Sequence, residues 1–347
     1  MNIKYMAYFD LLGTKSFSSD ENNYFESINI FRSRIIDNVP YLQDNNNLYN
    51  ISFFSDCCYV ESQSLPCILS YLENLRDDLI SKHLFFNAAV IKVDYIGDFS
   101  SFETTEKGGN DKKVVGTLFK SNIISEVYNA QNSFKGIGIW IDPRILTSDS
   151  IKEKSLKEKT VTSFFVDSIE NTMHISKYTD IKLVLSGLHL EKGCLNSIIK
   201  SYFFACCETP RVGRYYSSLL INIINSDSSD IHWNIKNERF ENTSYIYELI
   251  FDMIRDEEQF SILTGFEYVA FAFINRIYNS SLDKVSKFNI TRLFLKEGSI
   301  GNKYITDLDH IPVDLLRSNN KDNVDIFKNY CRQFILTNKV SKYTSHD

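Results

Sequence analysis

Asp10 and Asp56 are the residues in this chain best placed to do chemistry. Each closes a short apolar run: Tyr5 to Phe9 (YMAYF) leads into Asp10, and Ile51 to Phe54 (ISFF) leads through Ser55 into Asp56. Both runs are aromatic and β-branched, the pattern of strands packed in a core. An ionised Asp is rarely buried without a partner, and two side by side repel. A divalent cation with a polyphosphate behind it would neutralise both together. The other reading of the pair is structural, since an Asp at a strand end also forms turns by bonding backbone N–H groups. Gly13, just past Asp10, allows a tight turn at which backbone N–H groups could bind phosphate.

The elements that must hold this pair can be read in outline. Ile3 to Phe9 is expected as a strand and Asp20 to Asn38 as a helix with Phe25, Ile28, Phe31, Ile35 and Ile36 on one stripe. A return strand, Leu48 to Phe54, and a restart at Cys57 to Glu61 make a hairpin with Asp56 at its tip. A helix from Pro66 to about Lys82 and a strand from Phe85 to Val93 follow. Asp98 to Lys113 is polar, with Gly108 to Asp111 as the tip of a β-ribbon. Gly116 to about Asn132 is expected as a helix, and Gly136 to Ile141 as a strand. The order β-α-β-β-α-β is the split βαβ pattern of ferredoxin-like folds. From about Tyr178 the pattern turns helical, with segments Leu183 to Phe204, Tyr215 to Asn225, Tyr245 to Ile254, Gly265 to Tyr278 and Val324 to Leu336. The expected architecture is α+β over residues 1–170, followed by an α-helical domain over 171–347.

Composition narrows the function classes. The chain has 347 residues, 43% hydrophobic and 24% charged, with Phe (26) and Tyr (20) abundant and Gly (13) and Pro (5) scarce. A length of this order suggests two domains with sizeable cores. The net charge of −6 argues against broad nucleic-acid binding. Seven Cys, among them the neighbours Cys57-Cys58 and Cys206-Cys207 and no C-x-x-C, suit small buried residues in a reducing cytoplasm rather than zinc or a disulfide framework. No basic stretch precedes an apolar run at the N-terminus, so no signal peptide is expected. The longest apolar stretch, Leu263 to Tyr278, is broken by Glu267, Asn275 and Arg276, and no membrane span is expected. The six His never fall three or four apart, which leaves no His-based metal or catalytic arrangement. Cys207 to Arg214 is expected as a polar surface turn between helices.

The string Tyr8-Phe9-Asp10-Leu11-Leu12-Gly13 resembles the F-x-D-I-x-G opening of class III nucleotide cyclases, and Phe54-Ser55-Asp56 resembles the family's hairpin, usually Gly-Asp. Gly116 to Phe119, Ile139 to Ile145 and Thr160 to Ser168 resemble later family segments, so the likeness covers roughly residues 3–170. Among bacterial forms it is most similar to divergent cyclase-like proteins of phage-defence islands, which include the pyrimidine cyclases of Pycsar systems. The resemblance implies a ferredoxin-like class III cyclase domain. Such a domain would make a 3′,5′-cyclic mononucleotide from a nucleoside triphosphate, with UTP or CTP favoured. It implies two Mg²⁺ or Mn²⁺ ions on Asp10, Asp56 and the Leu11 carbonyl, with Gly13 and Thr14 at the phosphates. The family's base-reading positions fall at Ser52 and Lys113, and its Asn and Arg positions at Lys120 and Ile124. None of the four family residues is kept. Lys120 and Lys15 are the cations that could stand in as point charges at the phosphates. The resemblance also implies a homodimer, with Asp10 and Asp56 facing the partner's Gly116 to Asn132 segment. Leu118, Phe119, Ile123, Ile124 and Val127 make that segment more apolar than one buried face needs. The reading from another class is a domain that keeps the fold and binds a nucleotide or partner without catalysis.

Overall fold

The computed structural model describes residues 5–12, 21–43, 47–93, 102–109, 112–119, 122–132, 136–146, 160–166, 173–181, 192–208, 210–227, 229–255, 263 and 265–295. The chain divides into two compact units, Met1–Thr160 with Lys177–Ile181, and Val161–Ser176 with Lys182–Asp347.

The first unit is built on a mixed sheet. Its strands are β1 (Tyr5–Leu11), β2 (Tyr49–Phe54), β3 (Cys57–Ser62), β4 (Phe86–Lys92) and β7 (Gly138–Ile141), joined by Lys177–Ile181 of β9 (Met173–Ile181). The order is β2-β3-β1-β4-β7-β9, and β1 is antiparallel to both β3 and β4. Helix α1 (Glu21–Asp37) connects β1 to β2, and β3 lies between those two strands, which is the split βαβ arrangement. The pattern follows from hydrophobic alternation. Ala7, Phe9 and Leu11 point to one face, where Ile28, Phe31 and Ile35 of α1 and Ile68, Leu72, Leu75 and Leu79 of α2 (Leu65–Ser81) bury them. Met6 and Tyr8 point to the other face, under Ile123, Ile124, Val127 and Ala130 of α3 (Ile123–Asn132). Ser64 caps α2 by accepting from the Cys67 N–H, with Pro66 in the first turn. A short helix α4 (Pro143–Leu146) follows β7.

The segment expected as one helix from Gly116 is two elements. Residues 102–109 (β5, Phe102–Gly109) pair with 112–119 (β6, Lys112–Phe119) as an antiparallel ribbon in which Thr105 faces Gly116. Helix α3 starts only at Ile123. Leu118 and Phe119 therefore belong to a strand. Ile123, Ile124 and Val127 are buried against the sheet of their own unit.

The second unit contains β8 (Thr160–Val166, of which Thr160 falls in the first unit) and the helices α5 (Lys192–Glu208), α6 (Pro210–Ser226), α7 (Tyr245–Arg255), α8 (Phe266–Tyr278) and α9 (Lys284–Leu295). Residues 173–181 are strand where a helical pattern was expected to begin. A small hairpin, β10 (Trp233–Asn234) with β11 (Arg239–Phe240), seats Phe240 among Trp233, Tyr247, Phe251 and Phe273. The expected surface turn at Cys207 to Arg214 is mostly helix: α6 begins at Pro210 and buries Arg214, because Pro fits the first helical turn. The expected helix at 324–336 lies outside the described residues. Among the described residues no helix is long and apolar enough to cross a membrane.

Candidate functional site

Asp10 sits near the end of a strand paired on both sides, so the sheet fixes its backbone. It lies opposite Cys57 on β3 and opposite Asn87 on β4. Cys57 in turn lies opposite Phe54, and Asn87 opposite Gly138. Cross-strand partners share a face. Phe54, Cys57, Asp10, Asn87 and Gly138 thus form one row on the face that carries α3.

Asp56 occupies the second position of the two-residue turn between β2 and β3. Ser55, the first, is left-handed with φ 51, as tight hairpins require of that position. The Tyr24 and Ser55 hydroxyls are 2.9 Å apart, which ties the turn to α1. The Leu11 N–H donates to the Asp56 carbonyl at 2.8 Å, and the Leu12 N–H to the Phe85 carbonyl at 2.8 Å. The tip of the hairpin and the end of β1 are therefore locked side by side. Asp10 and Asp56 are both half-buried. Burial pushes the Cys57 thiol up; a hydrogen bond with the Tyr8 hydroxyl opposes this, and the charges of Asp10 and then Asp56 add to it. Both carboxylates therefore act on one sulfur atom.

The wall of the row is aromatic. Tyr8, two residues before Asp10, packs against Tyr59 with ring centroids 4.6 Å apart and meets Tyr128 of α3 edge-on at 5.5 Å. Burial first, then the Asp10 charge, holds the Tyr8 phenol far above its ordinary range; burial also brings Tyr59 to about 12. Both remain neutral hydroxyls at physiological pH. Asn87, buried beside Asp10, accepts from Trp140 Nε1 at 2.6 Å and donates to the Gln131 carbonyl at 3.3 Å, which fastens α3 to the row. Arg144 bonds Asp142 and Glu126, joining the end of β7 to α3 a second time.

The structure brings together Asp10, Leu11 and Asp56. Ser52 is half-buried on β2 opposite Tyr59, one row away. Lys113 lies on β6 opposite Gly108, in the ribbon. Gly13, Thr14, Lys15 and Lys120 lie outside the described residues. Ile124 is 6% exposed in the core under α3. Asn87, Tyr8, Tyr59 and Tyr128 escaped the sequence reading. Asn87 had left a trace there, as the lone polar residue in FFNAAVI.

The donors suit a hard cation. Two carboxylates and a strand-end carbonyl are oxygens, and burial keeps Cys57 a thiol. Among the described residues no group of three or more His, Cys, Asp and Glu could hold a metal ion. Any ion on Asp10 and Asp56 would thus take the rest of its shell from other oxygens, as Mg²⁺ does from waters and phosphates.

No family model matches the chain, and no curated protein matches it. A solved structure of a bacterial light-regulated adenylyl cyclase is similar over 57% of this chain and 98% of that one, with 10% identity and a TM-score of 0.33. Similarity at that level assigns neither fold nor activity.

Proposed function

We propose that the first unit is a metal-dependent nucleotide cyclase. The observation that carries the reading is the locking of Asp56, at the β2–β3 turn, against the end of β1 that presents Asp10. Asp10, Asp56 and the Leu11 carbonyl would hold Mg²⁺ or Mn²⁺. When bound, the ions would supply charge neutralisation along a triphosphate and activate the attacking oxygen. In the reaction the ribose 3′-oxygen bonds to the α-phosphorus, pyrophosphate leaves, and the 3′-hydroxyl proton is released. The chain's own part is to fix two carboxylates on backbone that the sheet already orders. A pyrimidine substrate, a role in phage defence and a homodimer are the parts of the proposal supported by the family resemblance alone.

A second reading, binding without turnover, is favoured by Ile124. That side chain is apolar and buried, so it offers the phosphates no charge. One experiment separates the readings. The full chain is incubated with Mn²⁺ and each of ATP, GTP, CTP and UTP, and products are identified by mass. A cyclic mononucleotide that disappears in Asp10→Ala and Asp56→Ala supports the cyclase. Nucleotide binding without product supports the second reading, and linear oligonucleotides would point to a template-free nucleotidyltransferase.

A further inference from the structure

We propose that Tyr128 is the platform on which the base of the bound nucleotide stacks. The inference rests on the reading of Asp10 and Asp56 as the phosphate-side metal site, and it deepens that reading by naming the base subsite.

Helix α3 uses Ile123, Ile124, Val127 and Ala130 to cover the sheet. Tyr128 follows Val127 and falls at the flank of that stripe, where its side chain is 46% exposed. It is nevertheless held in place: its ring meets the buried Tyr8 ring edge-on, and Tyr8 packs against Tyr59. Tyr8 stands two residues from Asp10 on the same strand face, and Tyr59 two residues from Cys57. A run of three rings thus leads from the row of Asp10 to a half-exposed aromatic surface. Helix α3 packs on β4 and β1, while on the outer strand β2 the same face carries half-buried Ser52 and exposed Phe54. A flat ring beside a phosphate site suits a base, because every base offers a π-face, and such stacking is tolerant of base identity. It also fits the absence of a base-reading charge at Ser52.

The test compares two Mn²⁺ complexes, UTP and inorganic tripolyphosphate, by equilibrium dialysis with the full chain. Tyr128→Ala and Tyr128→Leu should each weaken UTP binding by about 5- to 100-fold, the range that one stacked base supplies. Tripolyphosphate binding should be unchanged in both variants, and Tyr128→Phe should bind UTP like the parent. Unchanged UTP affinity in Tyr128→Ala, or equal loss of both probes, would overturn the platform while leaving the metal reading standing. Failure of the parent chain to bind either probe would remove the metal reading, and the platform with it.

Discussion

The backbone N–H of Leu11 donates to the carbonyl of Asp56 at 2.8 Å, so the hairpin tip continues the ladder of β1 by one more bond. The separation of the two acids is therefore set by main-chain geometry. Asp10 stands one residue before the donor, and Asp56 supplies the acceptor. A site built this way depends on the sheet register, and a shift by one residue would turn Asp10 to the opposite face.

Replacing either acid should cost metal and spare the fold. Asp10→Asn and Asp56→Asn are each expected to weaken Mn²⁺ binding at least about tenfold, as followed by the electron-spin signal of free Mn²⁺. Both acids are only half-buried, so each variant should melt close to the parent. Undiminished Mn²⁺ affinity in both variants would leave the acids as turn-formers only.

Asn87 fastens α3 to the row through Trp140 and Gln131. In Asn87→Ala the buried Trp140 Nε1 loses its acceptor, at a cost of about 1–3 kcal/mol. Adding Trp140→Phe should recover part of that loss, since the donor goes too. Urea unfolding of both singles and the double variant measures the coupling, and strict additivity would show that the bond is energetically idle.

In the second unit, a Cβ on Gly213 would collide with Sγ of Cys206, which lies across the α5–α6 contact. Gly213→Ala should therefore destabilise by about 1–3 kcal/mol through overpacking. Cys206→Ala in the same chain should restore most of the loss. Thermal melts of the two variants decide whether the contact is as tight as the helices place it.

Asp77 gives a pH signature. Burial raises its carboxyl to about 6, with the Arg76 guanidinium, 3.6 Å away, opposing the shift. The folded chain then holds that proton more tightly than the unfolded one. This group's contribution is full below the ordinary value of 3.8 and is lost as pH rises through about 6. Denaturation at a series of pH values should show the parent losing about 1–2 kcal/mol across that window relative to Asp77→Asn, a figure reduced for partial solvent access. Parallel curves for the two proteins would refute the assignment.

The elements around the acids were legible because their patterns are local. Tyr5 to Leu11 alternates between two buried faces, Ile28, Phe31 and Ile35 have helical spacing, and Ser64 with Pro66 announces α2. Phe25 and Ile36, read on the same stripe, are exposed at the sides of α1, and Phe53 and Phe54, read as core, are exposed on an edge strand. Residues 116–119 were not legible as strand: a ribbon with its tip near 108–111 could be read, but its return strand runs past Lys113 to Phe119 by pairing with Phe102 to Thr105, where the sequence reads as the start of a helix. Tertiary pairing overrode the local pattern there. The Tyr8–Tyr59–Tyr128 contacts join three separate elements, and no window of sequence contains them. Arg214 misled for a similar reason: its charge marks a surface residue, yet α6 buries it.

The two acids differ in how firmly the molecule holds them. Asp10 belongs to a strand with neighbours on both sides, whereas Asp56 rides on a hairpin whose outer strand, β2, ends the sheet. Strands at an edge open at lower free energy than central ones, and their amides exchange with solvent sooner. Warming or mild denaturant should therefore withdraw Asp56 while Asp10 stays in place. Metal binding would fail at a lower temperature than the one at which the molecule unfolds. Deuterium uptake would mark the difference, rapid along residues 49–54 and slow along residues 5–11.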